Sequence, residues 1–169
     1  MQSIGKEFTD AHARLYQDFA AGNTVHAVSP YVESIVYNLI SNAIKYRSAS
    51  RDLIIHVSTR VEDNYLCLVV RDNGQGIDLN KHGDNIFNLY KRFHFNVEGK
   101  GLGLYLVKSQ VNSNGRKSRT GEHATCRQLI FRLLQAPGRS RFSLNTSCKR
   151  LANCAQAKNK PIPCTAFLQ

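Results

Sequence analysis

The sequence has no hydrophobic run long enough to cross a membrane, and no apolar stretch follows Met1–Lys6 in the manner of a signal peptide. These two absences predict a cytoplasmic protein. The five cysteines include no Cys-x-x-Cys pair, which argues against a disulfide framework and against a zinc site. We expect Cys67, which lies in an apolar strand pattern, to be a small buried hydrophobic residue.

Acidic residues are almost missing from the last third of the chain. Residues 115–169 hold 11 of the 23 lysines and arginines but only one of the 12 acidic residues, Glu122. Residues 1–114 therefore carry 12 basic and 11 acidic residues and are nearly neutral. A net charge of +11 is typical of nucleic-acid binding, but here it belongs to the tail, so nucleic acid is not an expected partner.

The front of the chain carries the patterns of a mixed α/β domain. Ala13–Phe19 and Val25–Val28 are candidate strands. Apolar residues recur at spacings of three and four over 32–44, which predicts a helix from Ser29, as its cap, to about Tyr46. The next two apolar segments, Leu53–Arg60 and Tyr65–Arg71, predict a hairpin. Two further helices are predicted at Asp84–Arg92 and Gly101–Asn112, and one more regular element is predicted at Gln128–Leu134.

The segment Asp72–Ile77 (DNGQGI, the Asp72 loop) directly follows the second strand of the hairpin. A carboxylate at the end of a buried strand needs a partner, and as a pure acceptor it suits an exocyclic amino group such as that of adenine. Glycines at 74 and 76 allow the backbone to approach a ligand closely. The same six residues are also compatible with a plain turn.

Two carboxamides lie one turn apart on the first predicted helix, at Asn38 and Asn42, with Lys45 on the same face. Amide oxygens are good ligands for magnesium, which keeps waters and phosphate oxygens as its other ligands. Lysine can reach a phosphate as a point charge. Asparagine is a poor residue for a helix interior, so the pair suggests a function. The alternative is a solvated helix face with an ordinary surface lysine.

A glycine cluster, Gly99–Leu104 (GKGLGL), opens a later predicted helix. Glycines before a helix leave its first amides free to bind an anion such as phosphate. The spacing matches neither a Walker loop nor the dinucleotide fingerprint. Alone, the cluster is also compatible with a flexible hinge.

These motifs together resemble those of the sensor histidine kinases. Four segments are similar to the N, G1, F and G2 boxes of that family and occur in the family's order: Ser34–Tyr46, Asp72–Ile77, Phe87–Phe93 and Gly99–Leu104. The resemblance covers about 13–115. It implies an α+β fold, a two-layer α/β sandwich of the Bergerat type with helices on one face of a mixed sheet. This is the ATP-binding fold shared with gyrase and MutL proteins.

The resemblance implies that ATP and Mg²⁺ are the cofactors. Asn42 would ligate magnesium with Asn38 assisting, and Lys45 would approach the phosphates. Arg92 and Lys100 are further candidate phosphate contacts. Backbone amides would hold the phosphate tail at Gly101, Leu102, Gly103 and Leu104.

The resemblance also assigns the base side of the site. Tyr46 would pack near the adenine, and Asp72 would accept a hydrogen bond from its amino group. Gly74, Gly76 and Ile77 would shape that wall.

A mobile lid over the nucleotide is implied at about 79–98. Phe87 and Phe93 would anchor this lid to the core. As an alternative, both are plain core aromatics.

The chain departs from the family at its start. Members place a helical hairpin with the phospho-accepting histidine before this domain, and that histidine is followed by Glu or Asp. None of the six histidines here is followed by an acidic residue, and residues 1–12, interpreted as a remnant of an upstream linker, are too few for a hairpin. We therefore expect the chain to bind ATP without phosphorylating itself on histidine. The hairpin would come from another chain or a missing region, and a response regulator is the expected downstream partner.

A second departure begins near residue 115. The family continues with a glycine pair and two strands, whereas the basic segment Arg116–Arg119 breaks that pattern after Gly115. We interpret 13–115 as the ATP-binding domain and 116–169 as an atypical basic tail. The tail is disordered or out of frame, is an unrelated appended segment, or is a functional segment that binds nucleic acid or acidic partners.

The expected function is the ATP-binding catalytic domain of a two-component sensor histidine kinase, a protein histidine kinase that signals by phosphorelay. Two alternatives stay open: a stand-alone serine kinase of the anti-sigma-factor type, and a non-catalytic basic binding module. A gyrase-type ATPase fits least, because such enzymes carry a general-base glutamate where this chain has Asn38.

Overall fold

The computed structural model describes residues 4–22, 24–62, 65–91, 100–113, 118–120, 125–126, 128–134 and 141–144. Its helices are α1 (Ile4–Asp10), α2 (Ser29–Lys45), α3 (Leu79–His82) and α4 (Gly103–Ser113), with a 3₁₀ turn at Gly83–Asn85. Its strands are β1 (Arg14–Asp18), β2 (Thr24–His26), β3 (Ile54–Glu62), β4 (Tyr65–Asp72), β5 (Ile77–Asp78), β6 (Ser118–Thr120), β7 (Thr125–Cys126), β8 (Gln128–Leu134) and β9 (Arg141–Ser143). Within these ranges no helix has the length and apolar character needed to span a membrane.

The main sheet is mixed and has five strands in the order β1-β3-β4-β8-β6. β1 pairs with β3 in parallel, and the other neighbours are antiparallel. The predicted hairpin is confirmed, because β3 and β4 pair with each other, and this pairing places Ile55 opposite Asp72. Two further pairs of short strands, β2-β9 and β5-β7, form separate ladders.

The core lies between one face of this sheet and the helices. On α2, the apolar stripe seen in the sequence is fully buried, at Val32, Ile35, Val36, Leu39, Ile40, Ala43 and Ile44. It meets alternate residues of β3 and β4, such as Val57 and Leu68, while Val107 and Val111 of α4 close the layer. Full burial of one such aliphatic side chain contributes about 1.5–3 kcal/mol. The two-layer architecture with a mixed sheet is therefore as predicted, and the structure also confirms that Cys67 is buried.

Two local predictions are wrong. Helix α2 begins at Ser29 itself, with Val28 at the cap position and no side-chain cap bond, because Pro30 already sets the first helical turn. The predicted helix at Asp84–Arg92 is not present over the described part, 84–91, which instead forms a 3₁₀ turn and further turns. Asn88 donates both its backbone and side-chain N–H groups to Asn85, and such local bonds compete with a helix.

Segments after residue 115 contribute strands to the sheets. β8, predicted as a regular element, is confirmed, and it pairs antiparallel with β4 from Tyr65 to Arg71. β6 extends the main sheet beside β8, and β9 pairs with β2. Leu144 is buried in the core. The division of the chain at residue 115 stays a prediction, while segments on both sides of it share one sheet.

Candidate functional site

A cavity of about 370 Å³ lies between the C-terminal half of α2, the end of β4 with the Asp72 loop, and the start of α4. Most of the residues singled out in the sequence line it, although they come from three separate segments: Asn38, Asn42, Lys45, Tyr46, Asp72, Gly76, Ile77, Lys100, Gly101, Leu102, Gly103 and Leu104. The fold therefore brings the three motifs to one place.

The carboxamides of α2 face the start of α4. Asn38 and Asn42 are half-buried and lie one turn apart, so their side chains leave the helix on the same side. A Cβ atom built on Gly103 would lie 3.3 Å from Oδ1 of Asn38, and 3.4 Å and 3.5 Å from Nδ2 and Oδ1 of Asn42. Both amide groups therefore border the first residue of α4.

Asp72 lines the same cavity and is the last residue of β4. Its side chain is half-buried, and its Oδ1 accepts a hydrogen bond of 2.8 Å from the backbone N–H of Gly74. This bond orients the carboxylate across the turn that follows the strand. Asp72 is also the single acidic residue among the described residues that line the cavity.

The Asp72 loop is tied to strand β3 through Asn73. Oδ1 of Asn73 accepts from the N–H of Ile54 at 2.9 Å, and Nδ2 donates to the carbonyl of Asp52 at 2.9 Å. The backbone N–H of Asn73 donates to the carbonyl of Ile54. These bonds continue the β3–β4 ladder past its last residue pair and hold the loop against the sheet.

The Asp72 loop is also tied to the end of α2. Gln75 donates its backbone N–H to the carbonyl of Tyr46 at 2.9 Å and its side-chain amide to the carbonyl of Arg47 at 3.1 Å. Gly74 does not line the cavity, but a Cβ at this position would lie 2.6 Å from the Tyr46 carbonyl oxygen. Gly76 has φ +72°, a left-handed conformation that favours glycine. The two glycines thus permit a close, sharply bent loop.

The start of α4 is set by Gly101. Its φ is +68°, and a Cβ there would lie 2.8 Å from the carbonyl oxygen of Lys91 and 2.8 Å from the carbonyl carbon of Tyr90. Helix α4 then begins at Gly103, on the wall of the cavity. Because the first amides of a helix lack partners within it, this end is suited to bind an anion.

Besides Gly74, one predicted residue of the described part, Phe87, lies outside the cavity wall. Its ring packs against the core, and the ammonium group of Lys108 lies 5.5 Å from the ring centroid. This packing is compatible with both interpretations of Phe87, an anchor of the lid on the core and a plain core aromatic. Arg92, together with Phe93, lies outside the described residues.

Several lining residues were missed by sequence reasoning. They are Tyr37, Ser41, Val70, Ile86 and Lys91. Val70 could have been found, because it precedes Asp72 by two residues and a strand places such residues on one face. Lys91 is a third lysine on the cavity wall, beside Lys45 and Lys100. The one sequence feature that could have indicated its role is its position next to Arg92, a predicted phosphate contact.

Comparison with known proteins identifies the class. Residues 27–141, more than half of the chain, match the family described as histidine kinase-, DNA gyrase B-, and HSP90-like ATPase. The chain belongs to this family, and within it is a catalytic ATP-binding domain of the histidine kinase type, as the four motifs implied.

Curated relatives are sensor proteins. The chain is 41% identical over 108 residues to cyanobacterial phytochrome A of Nostoc and 31% identical over 98 residues to the sensor protein RprX of Bacteroides fragilis, covering 60% and 56% of this chain. It is 30% identical over 122 residues, 69% of this chain, to the sensor protein kinase GraS of Staphylococcus aureus. These matches span only 14%, 19% and 34% of the respective relatives. Because the relatives are sensor proteins and sensor kinases, the serine-kinase and basic-module alternatives are not favoured.

Solved structures agree on the fold. The nucleotide-free catalytic domain of the histidine kinase ThkA superposes with a TM-score of 0.65 at 18% identity, covering 79% of this chain and 88% of that one. The mycobacterial sensor histidine kinase MprB gives a TM-score of 0.58 at 19% identity, covering 80% and 96%. At these identities the likeness supports the fold alone.

Proposed function

We propose that the chain binds ATP with magnesium and serves as the catalytic domain of a two-component sensor histidine kinase. The observation that carries this proposal is the convergence of three separate motifs on one cavity, whose wall combines a carboxylate, two carboxamides, lysines and the start of a helix. We call Tyr46 with the Asp72 loop the base end. We call Asn38, Asn42 and Lys100–Leu104 the phosphate end.

The base end would hold the adenine. Asp72 accepts from its amino group with an oxygen that a backbone bond already orients. Tyr46 packs against the ring, and Gly76 and Ile77 form the wall beside it, with Gly74 allowing the loop to approach α2. A hydrogen bond to a charged acceptor contributes about 1.5–3 kcal/mol.

The phosphate end would hold the triphosphate. The first amides of α4, at Gly103 and Leu104, offer an anion site that Gly101 shapes, and Leu102 precedes them. Lys45 and Lys100 add positive charge on the wall. We retain Arg92 as a further contact, and 79–98 as a lid that Phe87 anchors through its packing on the core.

Magnesium fits the donor set of the phosphate end. Asn42 would ligate the ion with Asn38 assisting, since both offer a neutral oxygen, the kind of hard ligand that magnesium takes alongside waters and phosphates. Within the described parts of the chain, no group of three or more His, Cys, Asp or Glu residues could hold a metal without the nucleotide. Bound magnesium would neutralise charge that develops on the phosphates.

The reaction would transfer the γ-phosphoryl group to a histidine outside the six in this sequence. None of the six is followed by an acidic residue, so we assign the acceptor to a helical hairpin elsewhere in the protein or on a second chain. The cavity residues contribute by positioning and by electrostatics, which account for most catalysis of phosphoryl transfer. A response regulator would take the phosphoryl group next, in the cytoplasm.

Titration with a fluorescent ATP analogue and magnesium tests the site. Asp72→Ala should weaken binding by a factor of about 10 to 150, the equivalent of 1.5–3 kcal/mol. Asp52→Ala is the matched control, because its carboxylate is exposed and makes only a surface ion pair of 3.5 Å with Arg14, while its backbone bond to Asn73 is kept. Equal affinity for the unmodified protein and Asp72→Ala would refute the base end.

Phosphoryl transfer is tested separately. Incubation with ATP should label a histidine-bearing hairpin added in trans, with the label stable to base and labile to acid. The chain incubated alone should stay unlabelled. Phosphohistidine on the isolated chain would contradict the assignment of the acceptor.

A further inference from the structure

We propose that Ser34 and Gln110 are positioning residues for the phosphate end: together they hold the carboxamide of Asn38 so that its oxygen faces the start of α4. This inference rests on the proposed function, because magnesium with ATP is the ligand toward which Asn38 would be directed. Ser34 is the first residue of the motif Ser34–Tyr46 and was given no role above, and Gln110 lies outside the four motifs.

The orientation of the Asn38 amide follows from its partners. Nδ2 of Asn38 lies 2.8 Å from the backbone carbonyl of Ser34 and 3.3 Å from the Ser34 hydroxyl. A carbonyl oxygen only accepts, so the atom bonded to it must be the amide nitrogen, and a flipped amide would set two acceptors against each other. Both amide hydrogens point back along α2, which leaves Oδ1 as the group that faces Gly103.

Gln110 joins this arrangement from α4. Its Nε2 donates to the Ser34 hydroxyl at 2.9 Å, so that hydroxyl receives one bond from each helix. The three side chains are partly buried, where water competes less for their hydrogen bonds. The Ser34 hydroxyl therefore links the rotamer of Asn38 on α2 to the position of α4.

The chemical consequence concerns both walls of the phosphate end. α4 supplies the helix start at Gly103, and α2 supplies the oxygen of Asn38 and the carboxamide of Asn42. A bond that spans the two helices fixes these groups relative to each other before the nucleotide arrives. Residues that orient a metal ligand in this way commonly affect metal affinity by about 10-fold or more.

The test separates the magnesium-dependent part of binding from the rest. Affinity for the fluorescent ATP analogue is measured with magnesium and with chelator for Ser34→Ala and for Gln110→Met, which keeps the side-chain length but removes the donor. We expect each variant to lose part of the magnesium-dependent gain, up to about 10-fold, and to keep the metal-free affinity, because the 2.8 Å bond from Nδ2 of Asn38 to the backbone carbonyl of Ser34 remains. The double variant should lose no more than Ser34→Ala, because both act through one hydroxyl.

Controls address folding and specificity. Ser34→Thr keeps the hydroxyl and should restore the magnesium effect, and Ser113→Ala should change nothing, because that exposed hydroxyl bonds only the carbonyl of Ser109 in its own helix among the bonds described. In nucleotide-free protein, the side-chain amide resonances of Asn38 should shift in Ser34→Ala and Gln110→Met but not in Ser113→Ala.

The two possible failures are distinguishable. If the unmodified protein binds no analogue, the proposed function fails, and unchanged Asn38 resonances would overturn the positioning arrangement on their own. If the unmodified protein binds and Ser34→Ala keeps the full magnesium effect, the positioning role is overturned while the proposed function stands.

Discussion

At the base end of the cavity, hydrogen bonds tie the Asp72 loop to β3 and to the end of α2, whereas at the phosphate end the start of α4 is set by close packing of Gly101 on the backbone of Tyr90 and Lys91. The first arrangement is directional and continues a sheet ladder. The second depends on two segments meeting with no side chain between them. This difference predicts that loss of the bonds or close packing that hold the Asp72 loop lowers mainly the stability of the fold, while disturbance of Gly101 at the phosphate end also lowers ligand affinity.

Gly74→Ala should have the largest effect on stability. The added Cβ would meet the Tyr46 carbonyl oxygen at 2.6 Å and Oδ1 of Asp72 at 2.8 Å, and neither can retreat without breaking a bond of the loop. We expect the free energy of unfolding in urea to fall by about 1–3 kcal/mol. Gly83→Ala is the control, since its Cβ would find its nearest neighbour at 3.9 Å. An unchanged urea midpoint for Gly74→Ala would contradict a closely packed base end.

Gly101→Ala should act on binding as well as on stability. A left-handed φ of +68° costs a residue with a Cβ about 1–2 kcal/mol, and the Lys91 carbonyl lies 2.8 Å from the new atom. We expect affinity for the ATP analogue to fall about tenfold, because the start of α4 must shift. The urea midpoint should move less than for Gly74→Ala. The comparison would break if Gly101→Ala proved the more destabilising of the two.

Asn73→Ala sharpens the comparison within the base end. The change removes the side-chain bonds to Ile54 and Asp52 but leaves the backbone of the loop intact. A net loss of about 1–2 kcal/mol in the free energy of unfolding is expected. Asn112→Ala, an exposed asparagine on α4, provides the matched control. Equal unfolding curves for the two variants would show that these bonds contribute nothing.

His56 provides the smallest expected effect, on a part of the sheet that belongs to neither end. Burial, and then the positive charge of Arg71, lower the pKa of His56 from its ordinary value of 6.5, and its ring stacks on Tyr16 at 5.0 Å. The neutral form is therefore favoured in the folded state. Its contribution to stability is complete above pH 6.5 and is lost as the pH falls through the lower pKa of the folded protein.

Urea unfolding on both sides of the ordinary histidine pKa measures this effect. His56→Gln should reduce the loss of stability on acidification and leave the affinity for the ATP analogue unchanged at both pH values. A variant with the same pH dependence as the unmodified protein would exclude a contribution from His56.

Much of the fold was predictable because its signals are periodic and local. The stripe of α2 and the alternation in β3 and β4 specify which faces are buried. Asp72 could be identified because it ends a buried strand just before glycines. The first residue of α2 was harder to predict, since the cap position is Val28 and the predicted cap, Ser29, lies one residue further along the chain.

The remaining features depend on contacts between distant segments. No residue near Gln75 in the sequence indicates that its side-chain amide bonds the carbonyl of Arg47. The pairing of β4 with β8 joins two segments that are far apart in the sequence, since β4 ends at Asp72 and β8 begins at Gln128. Lys91 lines the cavity because the backbone at 90–91 packs on Gly101.

The sequence motifs by themselves determine which kind of ligand the site can bind, since carboxylate, carboxamide and glycine have the same donor, acceptor and steric properties in any context. Their distances and directions arise when α2 and α4 pack on the sheet, because only packing brings atoms from separate segments within bonding range. The oxygen of Asn38 illustrates this division: the residue type makes it a possible ligand, and Ser34 together with Gln110 on another helix directs it.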